Sequence, residues 1–295
     1  MHIVVAGGNG LLGRALAAGL RQDGHRVSIL TRTVSGSDDV AWDPTSNDAE
    51  WHRVIDGADA VFNLAGESIA GQRWSASRKV AILESRVRAT RALVRAIRDA
   101  GRPPAVFVSG SAIGVYGPHG DEVLTEEAGA GGDFLAHVCE AWEREAQATA
   151  TVTRLVLLRT GVVLARQGGA LPQLALPFRF FAGGPVGPGT QYVSWIHIDD
   201  WVDLARWTLA TPAIEGPINL TAPNPVTSRQ FATTLGRVLG RPAAIAAPAF
   251  ALRIAVGEMA DAIVQGQRVV PARAEAHGFR FRYPELEPAL RALYP

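Results

Sequence analysis

A chain of 295 residues with 47% hydrophobic and 19% charged side chains holds ample apolar material for a packed core, which excludes a disordered polypeptide. Its net charge of +1 gives no global electrostatic reason to bind nucleic acid or an anionic membrane surface. The single cysteine, Cys139, excludes an intrachain disulfide and a cysteine-rich zinc site, and no His, Asp and Glu spacing suggests a metal; the expected compartment is the reducing cytoplasm.

The start, Met1-His2-Ile3-Val4-Val5-Ala6, runs straight into glycine and lacks the basic and longer apolar regions of a signal peptide. From there short apolar runs alternate with helical periods, the pattern of parallel βαβ units. Strands are expected at Ile3–Ala6, Val27–Thr31, Ala60–Leu64, Val106–Ser109 and Leu155–Arg159, each a continuous apolar run suited to cover on both faces. Leu12, Ala15, Leu16, Gly19 and Leu20 share one helical face, and Val80, Leu83, Val87, Val94 and Ile97 form the stripe of another. Past residue 165 the texture changes. Glycine and proline crowd residues 168–190, which reads as loops over a site. Further strands are expected at Val193–Ile198 and Ile218–Leu220, with a helix over Asp199–Leu209 between them and another over Ser228–Leu239. The tail from Ala243 is mostly helical with a loop around Pro271. Its most apolar stretch, Ala243–Val256, is broken by Pro248 and Arg253 and falls short of the roughly 18 residues of a membrane span. The expected fold class is α/β: a Rossmann-type doubly wound parallel sheet with a smaller, partly helical C-terminal substrate lobe. Its core spans 1–165, cleft loops and returning elements span 166–242, and a small helical domain spans 243–295.

Gly7-Gly8-Asn9-Gly10-Leu11-Leu12-Gly13 joins the first strand to the first helix, and Gly7, Gly10 and Gly13 give the G-x-x-G-x-x-G form of a dinucleotide-binding turn. One glycine permits the tight turn, one lets backbone approach a pyrophosphate, and the third lets the helix pack closely. The helix start then offers free N–H groups and a positive dipole end to the anion. A mere tight turn is the competing reading. At the end of the second strand, Thr31-Arg32 replaces the acid that takes a ribose 2′-hydroxyl, and no acid follows before Asp38. Arg32 can pair with a 2′-phosphate, so NADP(H) is the expected cofactor; a solvated surface arginine is the alternative.

With Asn63-Leu64-Ala65-Gly66 and Ser109-Gly110-Ser111-Ala112-Ile113-Gly114-Val115-Tyr116-Gly117 following later strands, the chain resembles the extended short-chain dehydrogenase/reductases. More closely, it resembles atypical epimerase-family proteins related to nucleotide-sugar epimerases and dehydratases. Trp42-Asp43-Pro44, Glu84-Ser85-Arg86-Val87 and Trp195-Ile196-His197-Ile198 add to the likeness, and the tail with Gly266-Gln267-Arg268 resembles that subgroup's C-terminal domain of unknown function. The resemblance implies that Asp43 lies near the adenine, that Leu64, Ala65 and Gly66 line the nicotinamide-side ribose, and that Ser109 faces the nicotinamide. A turn residue beside Pro44 is the rival account of Asp43. A homodimer is implied by resemblance alone.

Active members pair a Tyr acid/base with a Lys four residues later. Aligning Phe134 to Glu145 with the helix that carries this pair puts Leu135 and Cys139 at the two positions, with Glu143 where an acid often falls. Neither Leu nor Cys can do that work, and the residue four beyond Tyr116 is Gly120. Ser111 at the catalytic Ser/Thr position and Tyr116 nearby stay as catalytic candidates, against a turn hydroxyl and a satisfied buried phenol. Arg86 and His197 are substrate-side candidates. Their alternatives are a surface ion pair with Glu84 or Asp99, and a strand end with Asp199 capping the next helix. Two functions remain open: an NADP(H)-dependent epimerase-like oxidoreductase acting on a carbonyl or alcohol of a small molecule or nucleotide sugar, and a non-catalytic NADP(H)-binding sensor or partner protein.

Overall fold

The computed structural model describes residues 1–46 and 50–295. The first half of the chain forms β1 (His2–Ala6), α1 (Leu11–Gln22), β2 (Arg26–Thr31), β3 (Asp39–Ala41), α2 (His52–Ile55), β4 (Ala60–Asn63), α3 (Ala76–Asp99), β5 (Val106–Ala112), β6 (Val123–Leu124) and α4 (Phe134–Gln147). Next come β7 (Arg154–Thr160), β8 (Val162–Leu164), α5 (Leu171–Arg179), β9 (Tyr192–Val193), β10 (Trp195–His197), α6 (Ile198–Ala210), β11 (Gly216–Leu220), β12 (Val226–Thr227) and α7 (Ser228–Leu239). The tail adds α8 (Ala249–Val256), α9 (Met259–Gln265), β13 (Arg268–Val269), α10 (Ala272–Ala276) and α11 (Leu286–Leu293).

Seven strands make one sheet in the order β11-β7-β5-β4-β1-β2-β3, every neighbour parallel. The chain winds outward from β1 to β3, then returns to β1's other edge with β4 and winds the opposite way. The crevice at the carboxyl ends of β1 and β4 is therefore the switch point where doubly wound sheets bind ligands. Side chains alternate across the strands. Ile3, Val5 and Val108 pack on Leu16 and Leu20 of α1 and Trp201 and Leu204 of α6, while Val4, Val61 and Phe107 pack on Leu93 and Ile97 of α3. A third cluster joins Leu171 and Phe178 of α5, Phe231 and Leu235 of α7 and Leu290 of α11, so the tail helices share a core with the returning elements.

Local signals fix the helix ends. Ser75 caps α3 by accepting from the Arg78 amide, Thr227 and Gln230 form a reciprocal capping box on α7, and Gly240 ends α7 with φ 63°. The structure corrects three expectations. Residues 168–190 are not all loop: Leu171, Ala175 and Phe178 supply a buried helical stripe, and a proline in the first turn costs α5 no needed donor. The expected strand Val193–Ile198 is two pieces, with β9 antiparallel to β12 and β10 parallel to β8. They break at Ser194, whose Oγ donates to the Gln267 carbonyl and accepts from the Val269 amide. His197, not Asp199, caps α6, because its Nδ1 accepts from the Asp199 amide at 3.1 Å. Among the described residues no helix is long and apolar enough to cross a membrane.

Candidate functional site

The glycine turn sits in the switch-point crevice and is shaped by contacts that only glycine allows. Gly7 has φ +79°, and a Cβ there would lie 2.7 Å from the Leu64 carbonyl carbon, so the turns after β1 and β4 touch backbone to backbone. A Cβ on Gly13 would lie 2.3 Å from the Gly7 carbonyl oxygen, so the first turn of α1 rests directly on the loop that precedes it. No side chain caps α1 at Gly10 and no acidic residue stands in its first turn. The free amides at its start, around Leu11, Leu12 and Gly13, are donors in need of an acceptor, which an anion supplies. Gly168 and Gly169, past β8, approach the Leu11 side chain to 3.6 and 3.2 Å for a built Cβ, so this loop borders the same turn.

Around the turn, Arg32 ends β2 with 83% of its side-chain surface exposed, and its nearest carboxylate, Glu67, is 3.9 Å away. This long ion pair leaves most of the guanidinium exposed to a phosphate. Asp43 is exposed and closes its own turn: Oδ1 accepts from the Thr45 amide at 2.8 Å and from its hydroxyl at 2.7 Å, bonds that lower its pKa. Its second oxygen stays open to solvent. Leu64, Ala65 and Gly66 leave the end of β4 half-buried to exposed, with the Leu64 amide donating to Ala6 and the Ala65 amide to Asn63 Oδ1.

At the end of β5 the structure departs from a surface of free hydroxyls. Ser109 is fully buried, and its Oγ is 3.4 Å from the Gly110 carbonyl. Ser111 pairs across the sheet with Arg159 and donates to Glu143 Oε1 at 2.6 Å. Arg159 grips Glu143 through Nε and a terminal nitrogen, both at 2.9 Å, a two-point contact. The donor of Ser111 is thereby committed, and its side chain, 4% exposed, also meets the Cys139 thiol. Tyr116 has no exposed surface; its hydroxyl donates to Asn219 Oδ1 at 2.7 Å and accepts from Arg159 at 3.1 Å. Burial pushes its pKa up, against the opposing pull of Arg159. With both roles of its hydroxyl used inside the fold, Tyr116 belongs to a polar floor and not to an open cleft. Asn219 extends that floor by donating to the Val270 carbonyl, and its amide donates to the buried Glu126, which also accepts from the Arg273 amide. The sequence pointed to Glu143 by its place on the helix. Arg159, Asn219 and Glu126 gave no local signal, because their partners lie in distant elements.

Leu135 and Cys139 do occupy adjacent turns of α4 facing the end of β5. A Cβ on Gly114 would meet Leu135 Cβ at 3.1 Å and Cys139 Sγ at 3.9 Å. Cys139 is buried and its thiol is pushed up to about 12, first by burial and then by Glu143, so it is no nucleophile near neutral pH. Arg86 overturns the surface ion-pair alternative: it is 8% exposed, has no carboxylate within 4 Å among the described residues, and Glu84 pairs with Arg88 instead. Its guanidinium lies behind exposed Gly66, where a Cβ would approach its carbon to 3.1 Å, and 5.2 Å from the Trp142 ring centroid. The structure does not join His197 to this group. It lies 4.0 Å from the Tyr283 ring, caps α6, and has a buried Nε2 with no partner.

An uncapped glycine turn at the switch point of a seven-stranded parallel sheet, with an exposed arginine just past β2, defines a dinucleotide-binding protein of Rossmann type. The profile of the NAD dependent epimerase/dehydratase family matches residues 3–220, and that of a domain of unknown function (DUF1731) matches residues 247–293. The chain belongs to this family. Epimerase family protein YfhF of Bacillus subtilis is 41% identical over 300 residues, covering 99% of this chain and 98% of that one. A chloroplastic SDR39U1 homolog of Arabidopsis thaliana is 41% identical over 301 residues, 99% of this chain and 86% of its own. The crystal structure of human epimerase family protein SDR39U1 (isoform 2) with NADPH aligns with a TM-score of 0.93 at 34% identity, over 100% of this chain and 99% of that one.

Proposed function

We propose that the protein is an NADP(H)-binding, epimerase-like oxidoreductase acting on a carbonyl or alcohol of a small molecule or nucleotide sugar. The observation that carries this reading is the uncapped glycine turn with Arg32 exposed beside it, held only by a 3.9 Å ion pair with Glu67. The human relative crystallised with NADPH supports it. Gly7, Gly10 and Gly13 bring backbone to the pyrophosphate, with the amides of Leu11 and Leu12 at the helix start, and Arg32 takes the 2′-phosphate. Asp43 offers its open oxygen on the adenine side, and Leu64, Ala65 and Gly66 border the ribose. NADP(H), when bound, supplies or accepts a hydride at its nicotinamide. Ser111, its donor held by Glu143, presents an acceptor oxygen to a substrate hydroxyl, and Arg159 and Tyr116 keep that orientation rigid.

A second reading, a non-catalytic NADP(H) sensor, is favoured by the buried Cys139 thiol, which holds its proton at a position where the resemblance implies the family's Lys, with Leu135 at that of its Tyr. Incubating the protein with NADPH and a panel of carbonyl compounds and nucleotide sugars separates the two. The oxidoreductase reading predicts turnover, followed as loss of NADPH absorbance, that falls about a hundredfold in Ser111→Ala. Full activity in that variant contradicts the role of Ser111, and NADPH binding without turnover on any compound selects the sensor.

A further inference from the structure

The ends of β4 and β5 carry an electrostatic imbalance that the proposed chemistry does not use. The carboxylates that stand there among the described residues are paired: Glu143 with Arg159 at 2.9 Å, and Glu67 with Arg78 at 3.2 Å and Arg32 at 3.9 Å. Arg86 has no such partner. It donates to the backbone carbonyls of Glu67 and Ile82 at 3.1 and 3.0 Å, which satisfies donors without cancelling charge. Guanidinium keeps its proton in proteins, so this charge is permanent. Burial makes the cation unfavourable and lowers its pKa, Arg78 acts in the same direction, and Cys139 and Glu67 oppose them. Cys139 cannot balance it as a thiol. Held only by two carbonyls and the Trp142 ring 5.2 Å away, this buried cation is costly to the folded chain and leaves a positive field at the site.

Its position indicates what that field acts on. A dinucleotide lies across the switch point with one nucleotide on each half of the sheet. Arg32, at the end of β2, marks the adenosine side. The half over β4 and β5, where Gly66 and Ser111 stand, is left for the nicotinamide. Arg86 reaches this half from α3, behind a glycine with no side chain to cover it, and beside the short Cys139 on α4.

We infer that Arg86 is a redox-form selector: its positive charge beneath the nicotinamide half, without a carboxylate partner, favours NADPH, whose dihydronicotinamide ring is uncharged, over NADP⁺, whose nicotinamide ring is cationic. The inference rests on the NADP(H) reading above.

The test compares dissociation constants, by calorimetry, for NADPH, NADP⁺ and adenosine 2′,5′-bisphosphate, which lacks the nicotinamide half. The unmodified chain should bind NADPH about tenfold more tightly than NADP⁺, and Arg86→Gln should remove most of that ratio while bisphosphate affinity stays within about twofold. Arg86→Lys, which keeps the charge, should keep the ratio. Should Arg86→Gln fail to fold, Glu67→Gln tests the same field from the other side; Glu67 also meets Arg32 at 3.9 Å, but that effect on the 2′-phosphate falls on all three ligands alike and cancels in the ratio. Deleting that negative charge should raise the NADPH preference. An unchanged ratio in a folded Arg86→Gln, or an unchanged or lowered one in Glu67→Gln, overturns the inference while leaving NADP(H) binding intact. Failure of the unmodified chain to bind any of the three overturns both.

Discussion

Among single residues, His197 shows how a polar side chain in a suggestive motif can be occupied by structure. Its Nδ1 holds the Asp199 amide and its ring lies on Tyr283. Burial lowers its pKa below the ordinary 6.5, Arg282 works in the same direction, and Asp199 opposes them. The unfolded chain therefore binds the proton more readily than the folded one. The stability linked to this group is complete above the unfolded pKa and is lost as pH falls through it toward the folded value. His197→Asn keeps a capping acceptor and removes the titration, so its urea midpoint should fall less than that of the unmodified chain between about pH 7.5 and pH 5.5. An equal fall in both would show that His197 does not titrate on unfolding. What was legible at this scale was local. Gly7, Gly10, Gly13 and Arg32 declare themselves by their places after strands. The partner of Tyr116 is 103 residues away and that of Glu126 is 93, so neither bond has a sequence signature. Arg86 was legible as a helix residue, but its burial depends on Gly66 and Trp142, which come from other elements.

Among elements, α1 and its glycine turn act as one part. The helix stays close to the sheet only because Gly13 has no Cβ against the Gly7 carbonyl, and the same contact sets the direction of the free amides. Gly13→Ala should cost about 1–3 kcal/mol of stability by forcing that contact apart. It should also weaken NADPH binding more than the stability loss alone explains, as read by calorimetry on the fraction that folds. A variant that binds NADPH as tightly as the unmodified chain would separate turn from site. The sheet's inner strands were legible because β1, β4 and β5 are runs of apolar residues buried on both faces. β3 was not: its three residues, Asp39-Val40-Ala41, are half-buried to exposed at the sheet edge and carry no such pattern. α5 was hidden by its own prolines and flanking glycines, although its buried stripe was present.

At the level of the whole molecule, sheet topology divides the site between two charges. Arg32 stands at the exposed end of β2, and Arg86 is buried behind the end of β4. The tail lobe closes on the same region, with Met259 and Ile263 of α9 packed against Trp74, Phe134 and Leu135. A polar chain from Val270 through Asn219, Tyr116, Arg159 and Glu143 ends on Ser111. The family's fold and glycine turn thus stand around a cleft whose polar groups at the end of β5 are fixed from below. The central claim is that this crevice is built for a dinucleotide carrying a 2′-phosphate. Calorimetric titration of the protein with NADPH and with NADH tests it most directly. NADPH should bind about tenfold or more tightly, and Arg32→Ala should remove most of that difference; equal affinities in the unmodified chain would contradict the claim.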